Sequence, residues 1–203
     1  EFVASVNKYV RSYFSRREPV LSEDKRPVKM LVKGEINEDP LLNTILLRKV
    51  EKLDTVKIDV DYDEANSRLI AEVIAPLVIY DGSELYNLKF NMKALKEDFD
   101  FDLGFDNIKS GPFDLPVTHI YGEQRNKDLY LNFNAMHKGE YFLSLPSILS
   151  GTSERLKLHV PPEDVYLNGE KWHVPETNEM QITSNNMVFQ DFRFSKGTEV
   201  VNY

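Results

Sequence analysis

Apolar and polar side chains alternate with a period of two over most of this 203-residue chain. The clearest run is 98–105 (DFDFDLGF), in which phenylalanine and leucine occupy one side and three aspartates the other. The apolar members of the three clearest runs are Val56, Ile58 and Val60; Phe99, Phe101, Leu103 and Phe105; and Leu129, Leu131 and Phe133. Because successive side chains of a strand point to opposite faces, these runs predict strands that bury one face only.

Short alternating runs of this kind recur between turn signals from Pro27 to the end of the chain, and they predict ten or eleven strands. No long helical pattern separates them, so we expect an antiparallel, mainly all-β region over 27–203 that forms one structural domain. We also expect Pro76 to interrupt a strand and 122–127 to form a turn. A turn-like stretch is predicted at the serines Ser144, Ser147, Ser150 and Ser153.

Helical spacing is confined to two places. Apolar residues over 1–17 recur at three and four residues, with arginines at the end, which predicts an amphipathic helix lying on the sheet. A short helix is predicted near 39–47, where Asp39 is a suitable N-cap and Pro40 a suitable first residue.

The composition excludes several classes of protein. The net charge is −8, which disfavours nucleic acid because a phosphate backbone requires a cationic face. The longest apolar run, 74–80, has the length of a strand rather than of a membrane span. The absence of cysteine excludes disulfides and thiolate zinc sites. Since the chain begins at Glu1 and ends within a strand-like run, we expect it to be an excised piece of a longer protein.

No catalytic or metal-binding motif is found. Counting from Asp59 or Asp98 as the first position of a calcium loop, the sixth and twelfth positions lack the required glycine and glutamate. The four histidines lie far apart in sequence, and no serine has a nucleophile-elbow motif around it. We therefore predict a protein that is not an enzyme and that has no cofactor.

The apolar faces of the strands need a partner, and periodicity leaves two alternatives open. One is an ordinary core beneath a second sheet or the N-terminal helix; with a second sheet it would be a β-sandwich interaction module. The other is a trough with an apolar floor that contacts acyl chains. A weaker indication of glycan binding is the polar strand side that carries Tyr130, Asn132 and Asn134.

The segment from Pro162 to Phe194 holds the only tryptophan of the chain. Its pattern comprises an Asn-Gly turn, a tryptophan, an asparagine and a closing Phe-Arg-Phe run, and it resembles a recurring segment of TamB-like proteins of Bacteroidota, which belong to the translocation and assembly module family and are related to the AsmA-like proteins. The signature residues are Asn168, Gly169, Trp172 and Asn178.

The resemblance implies a periplasmic segment of an inner-membrane-anchored protein that spans the envelope. It implies an elongated sheet curled into an apolar groove, like a β-taco, whose lining would come from the ten alternating residues given above. The implied partners are an Omp85-class outer-membrane barrel and clients that are phospholipids or outer-membrane proteins. The implied function is outer-membrane protein assembly or secretion together with phospholipid transport, with bound acyl chains in place of a cofactor.

Overall fold

The structure is a computed structural model, and it describes residues 27–39, 49–96, 98–152 and 154–202. These residues form strands, turns and extended connections, and none of them is helical. The helix predicted over 1–17 lies outside the described residues, and so does the predicted short helix beyond Asp39.

Eighteen strands are formed by the described residues. They are β1 (Lys29–Ile36), β2 (Val50–Leu53), β3 (Val56–Asp63), β4 (Arg68–Tyr80), β5 (Ser83–Leu95), β6 (Asp98–Phe105), β7 (Asn107–Ser110), β8 (Phe113–Leu115), β9 (Val117–Arg125), β10 (Asp128–His137), β11 (Glu140–Thr152), β12 (Arg155–His159), β13 (Tyr166–Leu167), β14 (Glu170–Lys171), β15 (Glu179–Thr183), β16 (Met187–Gln190), β17 (Arg193–Lys196) and β18 (Glu199–Asn202).

Sixteen of these strands belong to one antiparallel sheet, and β17 pairs with β18 in a separate hairpin. The main path of the sheet is β1-β3-β4-β5-β6-β9-β10-β11-β12-β15-β16. The sheet is open, with β1 and β16 at its two ends, and it is neither closed nor strongly curled. The predicted antiparallel all-β fold is therefore confirmed, whereas the described strands do not form the predicted curled groove.

In two hairpin turns, the side chains and backbone angles of the turn residues explain why the chain turns there. Between β3 and β4, the Asp63 carboxylate accepts hydrogen bonds from the Asn66 backbone N–H (3.1 Å) and side-chain amide (2.9 Å), which closes the turn. Between β13 and β14, Asn168 and Gly169 both have positive φ, 53° and 78°. Two positive φ angles are what a two-residue type I′ hairpin loop requires, and Asn-Gly is its preferred sequence.

The prediction that Pro76 interrupts a strand is wrong, because β4 runs through it. Proline lacks a backbone N–H to donate, and the sheet accommodates this locally. On the side of β5 the regular pairing skips Pro76, opposite Asn87, which takes a left-handed φ of 52°. On the other side the neighbour of β4 changes at this point, from β3 to the short strand β2.

Two predicted turns are also strands. Gly122 lies inside β9, and the chain turns later, at Asn126 and Lys127, which both have positive φ. The serines of β11 stand in one of the longest strands, where Ser144 and Ser147 are buried; Ser153 lies outside the described residues. Small polar residues there resemble a loop in composition, although each of the three pairs with a neighbouring strand: Ser144 with β10 and β13, Ser147 with β10, and Ser150 with β12.

Three clusters of buried apolar residues lie along the sheet. The first is centred on Tyr62, Leu69, Ala94, Phe99 and Leu129. The second combines Val160, Val165, Val174 and Phe194 with part-buried neighbours that include Trp172. The third contains Leu53, Val56 and Ala75.

Candidate functional site: one apolar face of the sheet

The register of the sheet aligns its apolar side chains into rows that cross the strands. Directly paired residues of antiparallel strands lie on the same face, so a chain of pairings defines a row. One row, here called the Phe101 row, consists of Val32, Val60, Ala71, Met92, Phe101, Gly122, Leu131 and Ser147. The Phe133 row beside it consists of Gly34, Ile58, Val73, Phe90, Leu103, Ile120, Phe133 and Leu145.

These two rows form an apolar strip eight strands wide, and neither row contains a charged side chain. At about 4.8 Å between neighbouring strands, the strip is about 34 Å long. Its side chains are only part-buried in most positions, with Ala71, Gly122 and Ser147 buried and Val32 and Gly34 exposed.

The rows that flank the strip are more deeply buried. On one side Tyr62, Leu69, Ala94, Phe99 and Leu129 are buried, whereas Met30, Gln124 and Leu149 of the same row are part-buried. On the other side Val56, Ala75, Phe105, Thr118 and Ala135 are buried, whereas Ile36, Leu88 and Leu143 of the same row are part-buried. The apolar face is therefore least covered along its middle.

All ten residues predicted to line a groove lie on this one face. Six of them belong to the strip: Val60, Phe101, Leu131, Ile58, Leu103 and Phe133. The other four, Val56, Phe99, Phe105 and Leu129, are buried in the flanking rows. Sequence alternation did not identify Val73, Phe90 and Ile120 as strip residues, although their strands were predicted; the pairing register is what aligns them.

The strip has a point of close contact at Gly122. A Cβ atom on this glycine would stand 2.3 Å from Cε1 of Phe101 and 3.0 Å from Cδ2 of Leu131. The ring of Phe101 therefore lies across the glycine backbone, where no other residue leaves room for it.

We expect Gly122→Ala to lower the free energy of unfolding by about 1–3 kcal/mol, because the ring of Phe101 must move to accommodate a methyl group. The measurement is urea unfolding followed by circular dichroism. Gly34→Ala is the matched control, since no atom of the described residues lies within 4 Å of a Cβ there. Combining Gly122→Ala with Phe101→Ala should give less than the sum of the two single effects; simple additivity would contradict the contact.

Charged residues concentrate on the opposite face. Lys33 lies 2.7 Å from Asp59, Lys57 lies 3.6 Å from Glu35, and Arg68 pairs with Asp61. The hydrogen bond that Lys33 donates to the Asp59 carboxylate, together with the negative charge of Asp59, raises the pKa of Lys33. Exposed pairs of this kind contribute little stability, about 0–1 kcal/mol each. These charged pairs make this face hydrophilic, whereas the two rows of the strip on the opposite face contain no charged side chain.

Lys157 and Glu179 form a further pair on the polar face, with Nζ 2.9 Å and 3.0 Å from the two carboxylate oxygens. The hydrogen bond from Lys157, and then the one from Gln181, lowers the pKa of the Glu179 carboxyl. On the apolar face, burial and then the charge of Glu64 raise the pKa of Tyr62 to about 12, so its hydroxyl is neutral.

Within residues 27–39, 49–96, 98–152 and 154–202, no three His, Asp or Glu side chains converge on a point that could hold a metal ion. No helix long and apolar enough to cross a membrane is found among the same residues.

The polar side of β10 places Tyr130, Asn132 and Asn134 on one face, as alternation predicts. The guanidinium of Arg125 lies over the Tyr130 ring, 5.1 Å from its centroid. Asn134 is part-buried, and its side-chain oxygen is inaccessible to solvent. This side therefore offers less free polar surface to a sugar than its sequence indicates.

The Trp172 cluster comprises Val160, Val165, Val174 and Phe194 with Leu145, Leu167, Trp172 and Phe192. Leu145 is the last member of the Phe133 row, so this cluster stands on the apolar face at the β11 end of the strip. Backbone hydrogen bonds hold the segment in place, from Trp172 N–H to Val165 C=O (2.9 Å) and between His173 and Ser195 in both directions.

Asn178 fixes the connection that carries this cluster. It is 1% exposed. Its side-chain oxygen accepts from the Val160 N–H (2.8 Å), and its side-chain nitrogen donates to the Val160 C=O (2.7 Å) and the Pro175 C=O (2.6 Å). Its own carbonyl lies 2.8 Å from Nδ1 of His159. The asparagine of the signature is thus structural, and Asn168 and Gly169 form a turn.

Neither a protein-family model, nor a curated protein, nor a solved structure matches this chain.

Proposed function

We propose that this chain is a lipid-handling segment of a TamB-like protein, and that its apolar strip accommodates the acyl chains of phospholipids. The single observation that supports this best is the strip itself: two adjacent uncharged rows that cross eight strands and remain part-exposed between two more deeply buried rows. A closed core would instead bury its central side chains most deeply.

The dimensions of the strip suit an acyl chain. The hydrocarbon core of a bilayer is about 30 Å thick, so one chain spans about 15 Å of it. The strip is about 34 Å long and two rows wide, at about 4.8 Å between strands and about 7 Å between rows. No charged side chain in the strip would have to be desolvated when a chain binds.

In this proposal the sheet continues as an apolar groove in a longer, inner-membrane-anchored protein that crosses the periplasm. The groove curls further there, and an Omp85-class outer-membrane barrel is the partner at its far end. Phospholipids are the ligands of the strip. Their delivery to the outer membrane supports the assembly of outer-membrane proteins. The charged opposite face stays in contact with the aqueous periplasm.

Ile120 and Tyr121 give a matched test, since they are neighbours on β9 with opposite faces. Ile120 is part-buried in the Phe133 row, and Tyr121 is 43% exposed on the polar face. We expect native mass spectrometry to detect phospholipid on the wild-type protein and on Tyr121→Lys, and to detect none on Ile120→Lys. A lysine at the rim of an open strip extends its ammonium to water, so Ile120→Lys should still fold.

Circular dichroism checks that both variants are folded. Wild-type protein that carries no phospholipid after expression, and that takes up none from vesicles, would rule out the proposed function. Unfolding of Ile120→Lys would do the same, because it would place Ile120 in a closed core rather than in an open strip.

A further inference from the structure

The edge of the sheet at β1 carries backbone groups that have no strand beside them. β1 is the first strand of the sheet path, and among the described strands it pairs with β3 alone. This pairing is regular over all eight residues of β1, and no bulge or proline interrupts the strand. Natural sheets often protect an edge with a proline, a bulge or a very short strand. β1 has none of these three, so its free edge is suited to pairing with another strand.

The backbone groups of β1 divide between its two edges. At the pair of Val28 and Glu64, which continues the register of β1 and β3, the Glu64 N–H donates to the Val28 carbonyl (2.9 Å). Hydrogen-bonded pairs alternate along an antiparallel ladder, so the even-numbered residues of β1 direct their N–H and C=O groups to β3. The odd-numbered residues direct theirs to the free edge. These residues are Lys29, Leu31, Lys33 and Glu35.

The side chains of the same four residues are exposed on the charged face of the sheet. Lys29 lies 3.3 Å from Asp63, and Glu35 lies 3.6 Å from Lys57. Each of these two charges therefore has an opposite charge on β3, while the described residues place no strand on its other side. Leu31 is 62% exposed between charged neighbours, which is unusual for a leucine on the wet face of a strand.

We propose that β1 pairs with β1 of a second copy of this chain, antiparallel and about a two-fold axis at Val32. In this register Lys29 lies opposite Glu35 of the second copy. Leu31 lies opposite Lys33 of the second copy. The odd-numbered residues then form four pairs with two backbone hydrogen bonds each, and the contact is the same for both copies, as in most symmetric dimers. The dimer goes beyond the proposed function and does not rest on it, because it concerns an edge of the sheet and not a ligand of the strip.

Charge selects this register from the neighbouring ones. Directly paired residues must lie on the same face, so the register changes in steps of two residues. One step in one direction places Lys33 opposite itself, and one step in the other direction places Lys29 opposite Lys33. Like charges directly opposite each other are destabilising. In the proposed register, Lys29 lies between Asp63 of its own copy and Glu35 of the other, and Glu35 lies between two lysines.

The pairing covers Leu31 and joins the apolar faces of the two copies. Leu31 gains the aliphatic stem of Lys33 of the second copy as a neighbour. On the opposite face Val32 meets Val32 of the second copy, so the Phe101 rows of the two sheets become continuous. A contact between one strand of each copy belongs to the smallest class of protein interfaces, so the dimer is weak and forms at high protein concentration.

A single introduced cysteine tests the position of the two-fold axis, because the chain contains no other cysteine. Opposite residues of a non-hydrogen-bonded pair have Cα atoms about 4.5 Å apart, which is within the range of a disulfide. We expect Val32→Cys to give a disulfide-linked dimer after mild oxidation, seen on a non-reducing gel. Gly34→Cys is the matched control on the same face of β1, and it should stay monomeric because Gly34 lies opposite Met30 of the second copy.

The cysteine variants have three contrary outcomes. Linking of neither variant, or equal linking of both, would overturn the dimer through β1. Linking of Gly34→Cys alone would place the axis elsewhere and overturn the proposed register.

A proline tests the backbone pairing in solution. Analytical ultracentrifugation of the wild-type protein should show an apparent mass that rises with concentration from that of one chain toward that of two. Leu31→Pro removes an N–H that faces the second copy and not β3, so we expect a folded protein that stays monomeric. Leu31→Thr is the matched control, since it retains the N–H and should still associate. Circular dichroism measures the folding of both variants.

The outcomes of this experiment are equally distinct. A wild-type protein that is monomeric at every concentration, or a Leu31→Pro variant that associates as the wild type does, would overturn the dimer. Loss of association in both variants would show that the leucine side chain, and not strand pairing, holds the copies together. Unfolding of Leu31→Pro would contradict the assignment of its N–H to the free edge. None of these results would bear on phospholipid binding by the strip.

Discussion

Replacing Trp172 with alanine should lower the free energy of unfolding by about 3–5 kcal/mol, the usual range for a large aromatic residue removed from a packed site. Trp172 is part-buried and contacts a cluster that joins four separate pieces of the chain: β11, the end of β12, the β13–β14 hairpin and β17. Removal of the indole ring leaves a cavity that rigid β-structure around it fills only in part.

Urea unfolding followed by circular dichroism measures this effect, since the variant has lost its fluorophore. Trp172→Phe is the matched control and should lose much less, because it retains most of the apolar volume. The indole N–H of Trp172 is buried and makes no hydrogen bond, so its loss removes no polar contact. A loss below about 1 kcal/mol for Trp172→Ala would mean that the residue is peripheral.

The fold was predictable where the pattern is strong. On β3, β6 and β10 strict alternation coincides with unbroken pairing, so the ten apolar residues predicted from sequence lie on one face of the sheet. The hairpin at Asp63 and the Asn168–Gly169 turn were equally visible, because both depend on side chains or φ angles that few residue types provide.

Other features depend on pairing between distant strands, which one sequence does not reveal. From the sequence alone, Pro76 is expected to interrupt a strand. Only the strand pairing shows that Asn87 lies opposite Pro76 and that the strand continues. The hairpin of β7 and β8 was missed, since its strands are three or four residues long and Phe113 is 75% exposed. The strip itself depends on the pairing register of neighbouring strands. Alternation predicts which side of each strand is apolar, but it does not predict how far neighbouring strands are shifted relative to each other.

The side chains of the strip are less buried than those of its flanking rows, and this difference in burial is relevant to the proposed function of the apolar face. Buried side chains at Phe99 and Phe105 anchor the two borders, while Phe101 and Leu103 between them stay part-exposed on the same strand. One β-strand therefore supplies both the rigid borders and the accessible centre. In the proposed function, an acyl chain would contact this centre, while the packing at the borders would stay as it is.

Asn178→Ala should destabilise the protein by about 4 kcal/mol, because the buried N–H and C=O groups of Val160 would lose their hydrogen bonds to the Asn178 amide and each such group costs about 1–3 kcal/mol. The Pro175 carbonyl would lose a hydrogen bond as well. No water replaces the amide easily, since Val160 and Asn178 are both 1% exposed.

Asn185→Ala is the control, since Asn185 lies exposed in the β15–β16 turn and should change stability by less than about 0.5 kcal/mol. Both variants are compared with the wild-type protein in urea, with Trp172 fluorescence and circular dichroism as two probes of unfolding. Because Asn178 connects the end of β12 to the start of β15, its loss should release the Trp172 cluster first, so the fluorescence transition should precede the dichroism transition. Coincident transitions with a loss below about 1 kcal/mol would show that the amide does not hold the Trp172 cluster in place.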